Sequence, residues 1–310
     1  MDIDLVYLWV DGNDPDWLAR KRAFTGNIKE NTEENCKGRY VNNDELRYSL
    51  RSVEKYAPWV HKIFIVTDNQ TPDWLDTLNP KINIIDHKEI MPETSLPCFN
   101  ASVIECFLHK IPDLSEHFLL ANDDVFFNAT VLPDFFFKSD GFPFIRLIRK
   151  PLGKWHYWAK FLRKKGPGQY RRMVMNAAQL VEKMFGKYYS GVPHHNIDAY
   201  KKSDFYEAME KKFRKQVENS LHHHVRAIGD LHRSVVSYYA LAIGHGHMRY
   251  VGRKESMRIP VERIDYMKYL QRYQPKLLCL NDSQRVSDAD RERIKPFLEN
   301  LFPEKSAFEK

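Results

Sequence analysis

Apolar runs that halt on polar clusters set the rhythm of the first 135 residues, and that rhythm admits few folds. IDLVYLWV (3–10) stops at Asp11-Gly12, KIFIVT (62–67) at Asp68-Asn69-Gln70, and HFLLA (117–121) at Asn122-Asp123-Asp124. A fourth run, INIID (82–86), is similar in length. Short runs that are apolar throughout, rather than alternating, read as strands covered on both faces. Between them lie helical patterns. Residues 43–56 place Leu46, Leu50, Val53 and Ala57 on one stripe, and Pro58 ends it. Residues 100–111 carry a cap at Asn100 or Ser102 and turn Ile104, Leu108 and Ile111 inward. Strands alternating with helices predict an α/β fold on a mostly parallel, Rossmann-like sheet.

From about residue 150 the pattern becomes mostly helical, with helices expected at 169–185, 202–219 and 226–243. LLCLND (277–282) reads as a returning strand, again ending on Asn281-Asp282, and a terminal helix follows at 287–301. The expected organisation is one α/β catalytic core built from 1–140 and 245–310. A mostly helical, basic insertion, 141–244, completes the active site.

In open α/β sheets ligands gather at the carboxyl ends of the strands, where these polar clusters fall. Two adjacent carboxylates there are costly to desolvate unless they meet a cation or hydrogen-bond donors. Asp123-Asp124 therefore reads as a site for an oxygen-ligated divalent metal with a phosphorylated ligand, against the plainer reading of a solvated acidic turn. Glu105 leans inward from its predicted helix, so it needs a metal, an Arg or a substrate hydroxyl. His194-His195 in VPHHNID offers an imidazole that acts as base or ligand near neutrality, although a single His is more often structural. The run His222-His223-His224 reads mainly as a loop. Asp230 stands one helical turn after Arg226 and is expected to orient its guanidinium, whose fork suits a phosphoryl group.

Charge narrows the partners. The chain of 310 residues carries +7, and no acidic residue occurs from 141 to 181. That stretch holds Arg146, Arg149, Lys150, Lys154, Lys160, Arg163, Lys164, Lys165, Arg171 and Arg172, interleaved with Trp and Tyr. Such interleaving suits an anionic membrane surface or an anionic substrate groove, with nucleic acid the weaker rival. No apolar stretch is long enough to span a bilayer. The acidic start MDIDLVYLWVDG lacks the positive charge of a signal peptide, so a cytoplasmic protein is expected. Cys36, Cys98, Cys106 and Cys279 have no metal-finger spacing and read as free thiols in a reducing compartment.

The chain resembles the Stealth family of sugar-1-phosphate transferases. DLVYLWVDGNDP (4–15) is similar to the family's first block. The second extends from Arg39 to Phe136 and includes NNDELRYSLRSVEKYAPWVHKIFIVTDNQTPDWL, LPCFNASVIE and NDDVFF. VPHHNIDAYKKS with HVRAIGD resembles the third block, and LLCLND the fourth. The resemblance implies a glycosyltransferase-A-like sheet and places the family's essential residues at Glu105, Asp124, His194 and Arg226, with His195 open as the alternative histidine. It implies a nucleotide-sugar donor, UDP-linked above all, and a glycan or lipid-linked glycan acceptor.

On that reading Mg²⁺ (or Mn²⁺) is held by Asp123, Asp124 and Asp282, Arg226 neutralises the phosphoryl group, and His194 serves as base. Glu105 orients the acceptor or completes the metal shell. Asp11, Gly12, Arg39, Arg47, Asp68, Asn100 and Asp230 are the expected substrate contacts. The rivals are a metal-dependent glycosyltransferase that releases the nucleoside diphosphate, and a non-catalytic protein binding membrane or nucleic acid through its basic stretch.

Overall fold

In the computed structural model, residues 1–26, 36–150, 153–155 and 168–310 are described. Their strands are β1 (Ile3–Leu8), β2 (Ile63–Thr67), β3 (Ile82–Asp86), β4 (His117–Asn122), β5 (Val125–Phe127) and β6 (Phe144–Ile148). Then follow β7 (Val192–Pro193), β8 (Asp198–Lys201), β9 (His247–Tyr250), β10 (Ser256–Pro260) and β11 (Leu277–Asn281). The central sheet has the order β3-β2-β1-β4-β8. Its first four strands are parallel, as the sequence predicts, and β8 joins antiparallel beside β4. That fifth strand comes from the segment expected to be mostly helical.

The unbroken apolar character of the strands follows from cores on both faces. Along β4, Phe118 and Leu120 enter one core while Leu119 and Ala121 enter the other. The one carboxylate inside β1, Asp4, is fully buried but satisfied. It accepts from His61 Nδ1, the Lys62 amide and the Ser115 amide at 2.7–3.0 Å. Burial without such donors would cost several kcal/mol, about 3 or more.

Three predicted elements differ from expectation. LLCLN lies outside the central sheet: β11 sits between β10 and β5 in a separate three-stranded sheet. β5 follows directly on Asp123-Asp124 and pairs antiparallel with β11, so this sheet still delivers Asn281-Asp282 to the same region. The helix expected at 226–243 starts only at Ser234, because Arg226 to Arg233 form turns tied down by side-chain bonds. The helix expected at 100–111 is a short helix, Ala101–Glu105, followed by a single 3₁₀ turn at Leu108–Lys110.

The basic stretch is only partly described; Lys160, Arg163, Lys164 and Lys165 lie outside the described residues. Arg146, counted with the surface-facing basic residues, is buried on β6. It stacks 3.8 Å from the centre of the Phe135 ring and donates to the Phe135 carbonyl. Trp155 is exposed. Among the described residues no helix is long and apolar enough to cross a membrane.

Candidate active site

The carboxyl ends of β1, β2 and β4, the end of β11 and the turns before Ser234 enclose one cavity of about 650 Å³. Asp68, Asn122, Asp123, Asp124, Asn281 and Asp282 all reach it from strand ends. Three of the four clusters that end apolar runs thus converge, through two sheets rather than along one edge.

Asp123 and Asp124 form one wall with Glu45, a residue the sequence reading passed over. Glu45 opens the helix Glu45–Tyr56 and is buried, which its place in a first helical turn does not announce. Its Oε2 and Oε1 accept from the Asn43 amide and Nδ2, both at 2.7 Å. Burial, then the nearby Glu45 charge, pushes the Asp124 carboxyl up to about 7. The same two causes, with Asp124 added, raise Asp123 well above the usual carboxylate range. Asp124 Oδ1 is buried with no hydrogen-bond partner among the described residues. Carboxylates crowded this way, with an orphaned oxygen between them, are the donor set a divalent cation satisfies.

Asp282 is differently occupied. Both its oxygens accept from Arg291, at 2.7 and 3.0 Å, and Oδ1 also takes the Ser283 amide at 2.6 Å. The carboxylate faces Gly38, where any Cβ would collide with it.

Arginines line the same cavity. Arg226 lowers toward about 10, first from burial and then from Arg39, whose like charge shares the cavity. It is not oriented by Asp230 across a helical turn. Asp230 instead gathers the loop: Oδ1 accepts from His223 Nδ1 at 2.6 Å, and Oδ2 from Asn100 Nδ2 and the Ala227 amide at 2.8 and 2.7 Å. Asn100 also caps its short helix through the Ser102 amide. Asn100 and Asp230 are thus buried braces of the loop that carries Arg226, not cavity-lining groups.

Glu105 reaches the cavity and meets a second arginine that the sequence reading missed, Arg233. Arg233 Nη1 donates to Glu105 Oε1 at 2.5 Å, and Nη2 lies 3.7 Å from Asp198 Oδ2. Burial lowers the guanidinium's proton affinity, but the Glu105 and Asp198 charges prevail and hold it above its ordinary range. Arg233 stands seven residues after Arg226, and that two-turn spacing was the one available signal.

The two histidines separate cleanly. His194 is buried and does not line the cavity. Its Nδ1 lies 2.7 Å from Ser256 Oγ and its Nε2 3.1 Å from Asp198 Oδ1, so both ring nitrogens are engaged. His195 lines the cavity, with its backbone in the left-handed region at φ 57. A non-glycine residue held there is strained by about 1 kcal/mol or more. Burial, then Arg258 and Arg233, drop its imidazole to about 3, leaving a neutral ring at neutral pH.

Of the other expected contacts, Asp68 and Arg39 line the site, whereas Asp11, Gly12 and Arg47 do not. Asp68 lines it and accepts from Arg20 at 3.3 Å. Asp11 and Gly12 lie outside the lining: the Asp11 backbone exchanges bonds with Gln70, and the Gly12 amide donates to the Tyr40 carbonyl at 2.7 Å. A Cβ at Gly12 would land on that carbonyl, so Gly12 is needed where the segment holding Arg39 and Tyr40 closes over β1. Arg47 points away from the cavity and pairs with Glu309 at 2.7 Å.

Residues 1–29 match conserved region 1 of the Stealth proteins, and residues 39–145 match conserved region 2. The chain is 34% identical over 350 aligned residues to the exopolysaccharide phosphotransferase cps2G of Lactiplantibacillus plantarum, covering all of this chain and 96% of that protein. It is 30% identical over 324 residues to the capsular polysaccharide phosphotransferase SacB of Neisseria meningitidis serogroup A, covering all of this chain and 57% of SacB. Among solved structures, the galactosyltransferase LgtC with donor and acceptor sugar analogues aligns over 96% of each chain, at 12% identity and a TM-score of 0.45.

Proposed function

The chain belongs to the Stealth family, and from that premise we propose that it transfers a sugar-1-phosphate from a nucleotide sugar to a hydroxyl of a glycan in polysaccharide synthesis. The acceptor oxygen attacks the phosphorus that bears the sugar. The bond from that phosphorus to the bridging oxygen of the diphosphate breaks, and the nucleoside monophosphate leaves with the electron pair. A phosphodiester results, and the anomeric carbon–oxygen bond stays intact.

The observation that supports this reading is that one cavity is lined both by Glu45, Asp123 and Asp124 and by Arg226 and Arg233. A diphosphate bound in this cavity meets both guanidinium forks and carboxylates able to hold a divalent cation. Such a cation, Mg²⁺ or Mn²⁺ on the first expectation, supplies charge neutralisation at the phosphoryl oxygens. Arg226 binds the transferring phosphoryl group through two oxygens at once. Glu105, paired with Arg233 Nη1, takes the proton of the acceptor hydroxyl, work a carboxylate can perform in phosphoryl transfer. This moves the base from His194, whose nitrogens are both occupied inside the protein.

A UDP-linked hexose or N-acetylhexosamine is the proposed donor, and a glycan, free or lipid-linked, the acceptor. The cytoplasmic face of the membrane is the proposed place of work, with the basic stretch 149–172, without the buried Arg146, meeting anionic lipid. Purified protein is incubated with a panel of nucleotide sugars, acceptor glycan and divalent cations, with and without EDTA. Release of nucleoside monophosphate, lost with EDTA and in Asp124→Asn, is the expected result. Release of nucleoside diphosphate means glycosyl transfer and overturns the reading.

A further inference from the structure

The pairing of β5 with β11 places a thiol beside the paired carboxylates. Cys279 faces Val125 across this ladder, and the Leu280 amide donates to the Asp124 carbonyl at 2.9 Å. The register leaves the Cys279 thiol 3.6 Å from Asp124 Oδ2. Across the same point stands His195, whose strained backbone presents its ring to the cavity. One donor atom each from Asp124, His195 and Cys279 lie within 4.8 Å of one another. Asp124 Oδ1 is the buried oxygen with no hydrogen-bond partner among the described residues.

These atoms differ in kind from the all-oxygen shell that Mg²⁺ requires. Mg²⁺ takes oxygen ligands in near-octahedral order and gives up water reluctantly. Sulfur and imidazole together select Zn²⁺ and its neighbours among transition ions, bound at four positions or slightly more. A plain core cysteine explains the burial of Cys279, but not the coincidence of a free carboxylate oxygen and a strained imidazole around it.

We propose that Asp124, His195 and Cys279 together ligate the divalent cation, so that the site takes a borderline ion of the Zn²⁺ or Co²⁺ type in preference to Mg²⁺. The inference rests on the reading that Asp124 holds a cation for phosphoryl transfer. It assigns His195 to ligation and leaves the acceptor proton to Glu105. On binding, the Cys279 S–H proton leaves to solvent as the sulfur–metal bond forms.

Co²⁺ alone, added to the metal-free full chain, tests this without turnover. A near-ultraviolet sulfur-to-cobalt charge-transfer band, visible bands of low-coordinate Co²⁺ and proton release in weak buffer are expected. Cys279→Ser loses the charge-transfer band and binds Co²⁺ roughly tenfold or more weakly. Cys106→Ser, which alters a buried thiol bonded to the Ser102 carbonyl, keeps the band. X-ray absorption of the unaltered Zn²⁺ protein needs no variant and is expected to show one sulfur near about 2.3 Å. Co²⁺ spectra without the sulfur band, a band that survives in Cys279→Ser, or a shell of oxygen and nitrogen only would each overturn the proposal. Such a result leaves sugar-1-phosphate transfer standing, since that is judged separately by which nucleotide is released.

Discussion

Arg233 Nη1 meets Glu105 Oε1 at 2.5 Å, and neither side chain is more than 9% exposed. Asp198 lies on the other side of Arg233, and beyond it His194 and Ser256 continue the chain of contacts inward. Glu105 is therefore aimed by a buried network rather than by its short helix. Removing one partner of a buried ion pair strands the other charge, at a cost of about 3–5 kcal/mol. Arg233→Met is expected to lower the melting temperature and reduce kcat roughly a hundredfold or more. Arg233→Lys keeps a charge without the fork and recovers part of both. Unfolding curves and initial rates of nucleotide release check the pair; a kcat unchanged in Arg233→Met would remove Glu105 from the proposed chemistry.

The neighbouring histidines are expected to divide stability from activity. His194 contacts Ser256 and Asp198 from a buried position, so His194→Phe strands two polar groups and costs about 2–4 kcal/mol. His195 faces the cavity in a left-handed backbone conformation. His195→Asn suits that backbone, is expected to hold stability within about 1 kcal/mol, and to abolish most activity. Thermal unfolding beside initial rates separates them; equal destabilisation in both variants would contradict the assignment.

What the sequence discloses of this site follows from where each residue stands relative to an apolar run. Asp68, Asp123 and Asp124 are legible because a strand that ends abruptly on carboxylates has few other uses. Glu105 and Arg226 are legible as charges beside apolar positions. Arg233 and Glu45 are hidden by the same logic, since one precedes an apolar helix and the other opens an amphipathic one, and both look like ordinary helix-end charges. Cys279 reads as a core residue until β11 is known to pair with β5, a contact between segments 150 residues apart. His194 and His195 are neighbours of the same type in sequence, and only the structure shows that His195, with its left-handed backbone, lines the cavity while His194 is buried behind it. The four parallel strands of the central sheet were readable from local pattern, whereas β8 and the second sheet depended on strands meeting across the chain.

Asp282 marks a further division among the carboxylates. Arg291 holds both its oxygens, and a cation would have to displace a bidentate, charge-assisted pair. Asp282→Asn is therefore expected to change divalent-cation affinity by no more than about threefold, while Asp124→Asn weakens it by roughly a hundredfold. The Asp282 change instead loosens the contact with Gly38 and the segment carrying Arg39. Calorimetric titration with metal alone distinguishes these effects. Comparable losses of affinity in both variants would return Asp282 to the metal shell.

Acid stability is expected to depend on the end of the chain. Glu309 is shielded from solvent and accepts from Arg51 Nε at 2.7 Å and Nη2 at 3.0 Å, from Arg47 Nε at 2.7 Å, and from the Ser306 amide at 3.0 Å. Burial alone would push its carboxyl up, but the Arg51, Ser306 and Arg47 bonds outweigh that and hold it at about 2. A carboxylate depressed in the folded state binds its proton more readily once unfolded. Its contribution is therefore complete above the ordinary Glu range, near pH 4.5, and is lost as pH falls toward about 2. Glu309→Gln removes this term, so the variant is expected to be less stable at pH 7 by about 3 kcal/mol, with the gap closing between pH 4.5 and 2. Urea unfolding of both proteins across that range measures the gap directly. A difference that stays constant down to pH 2 would mean the Arg51–Glu309 pair contributes packing and not charge.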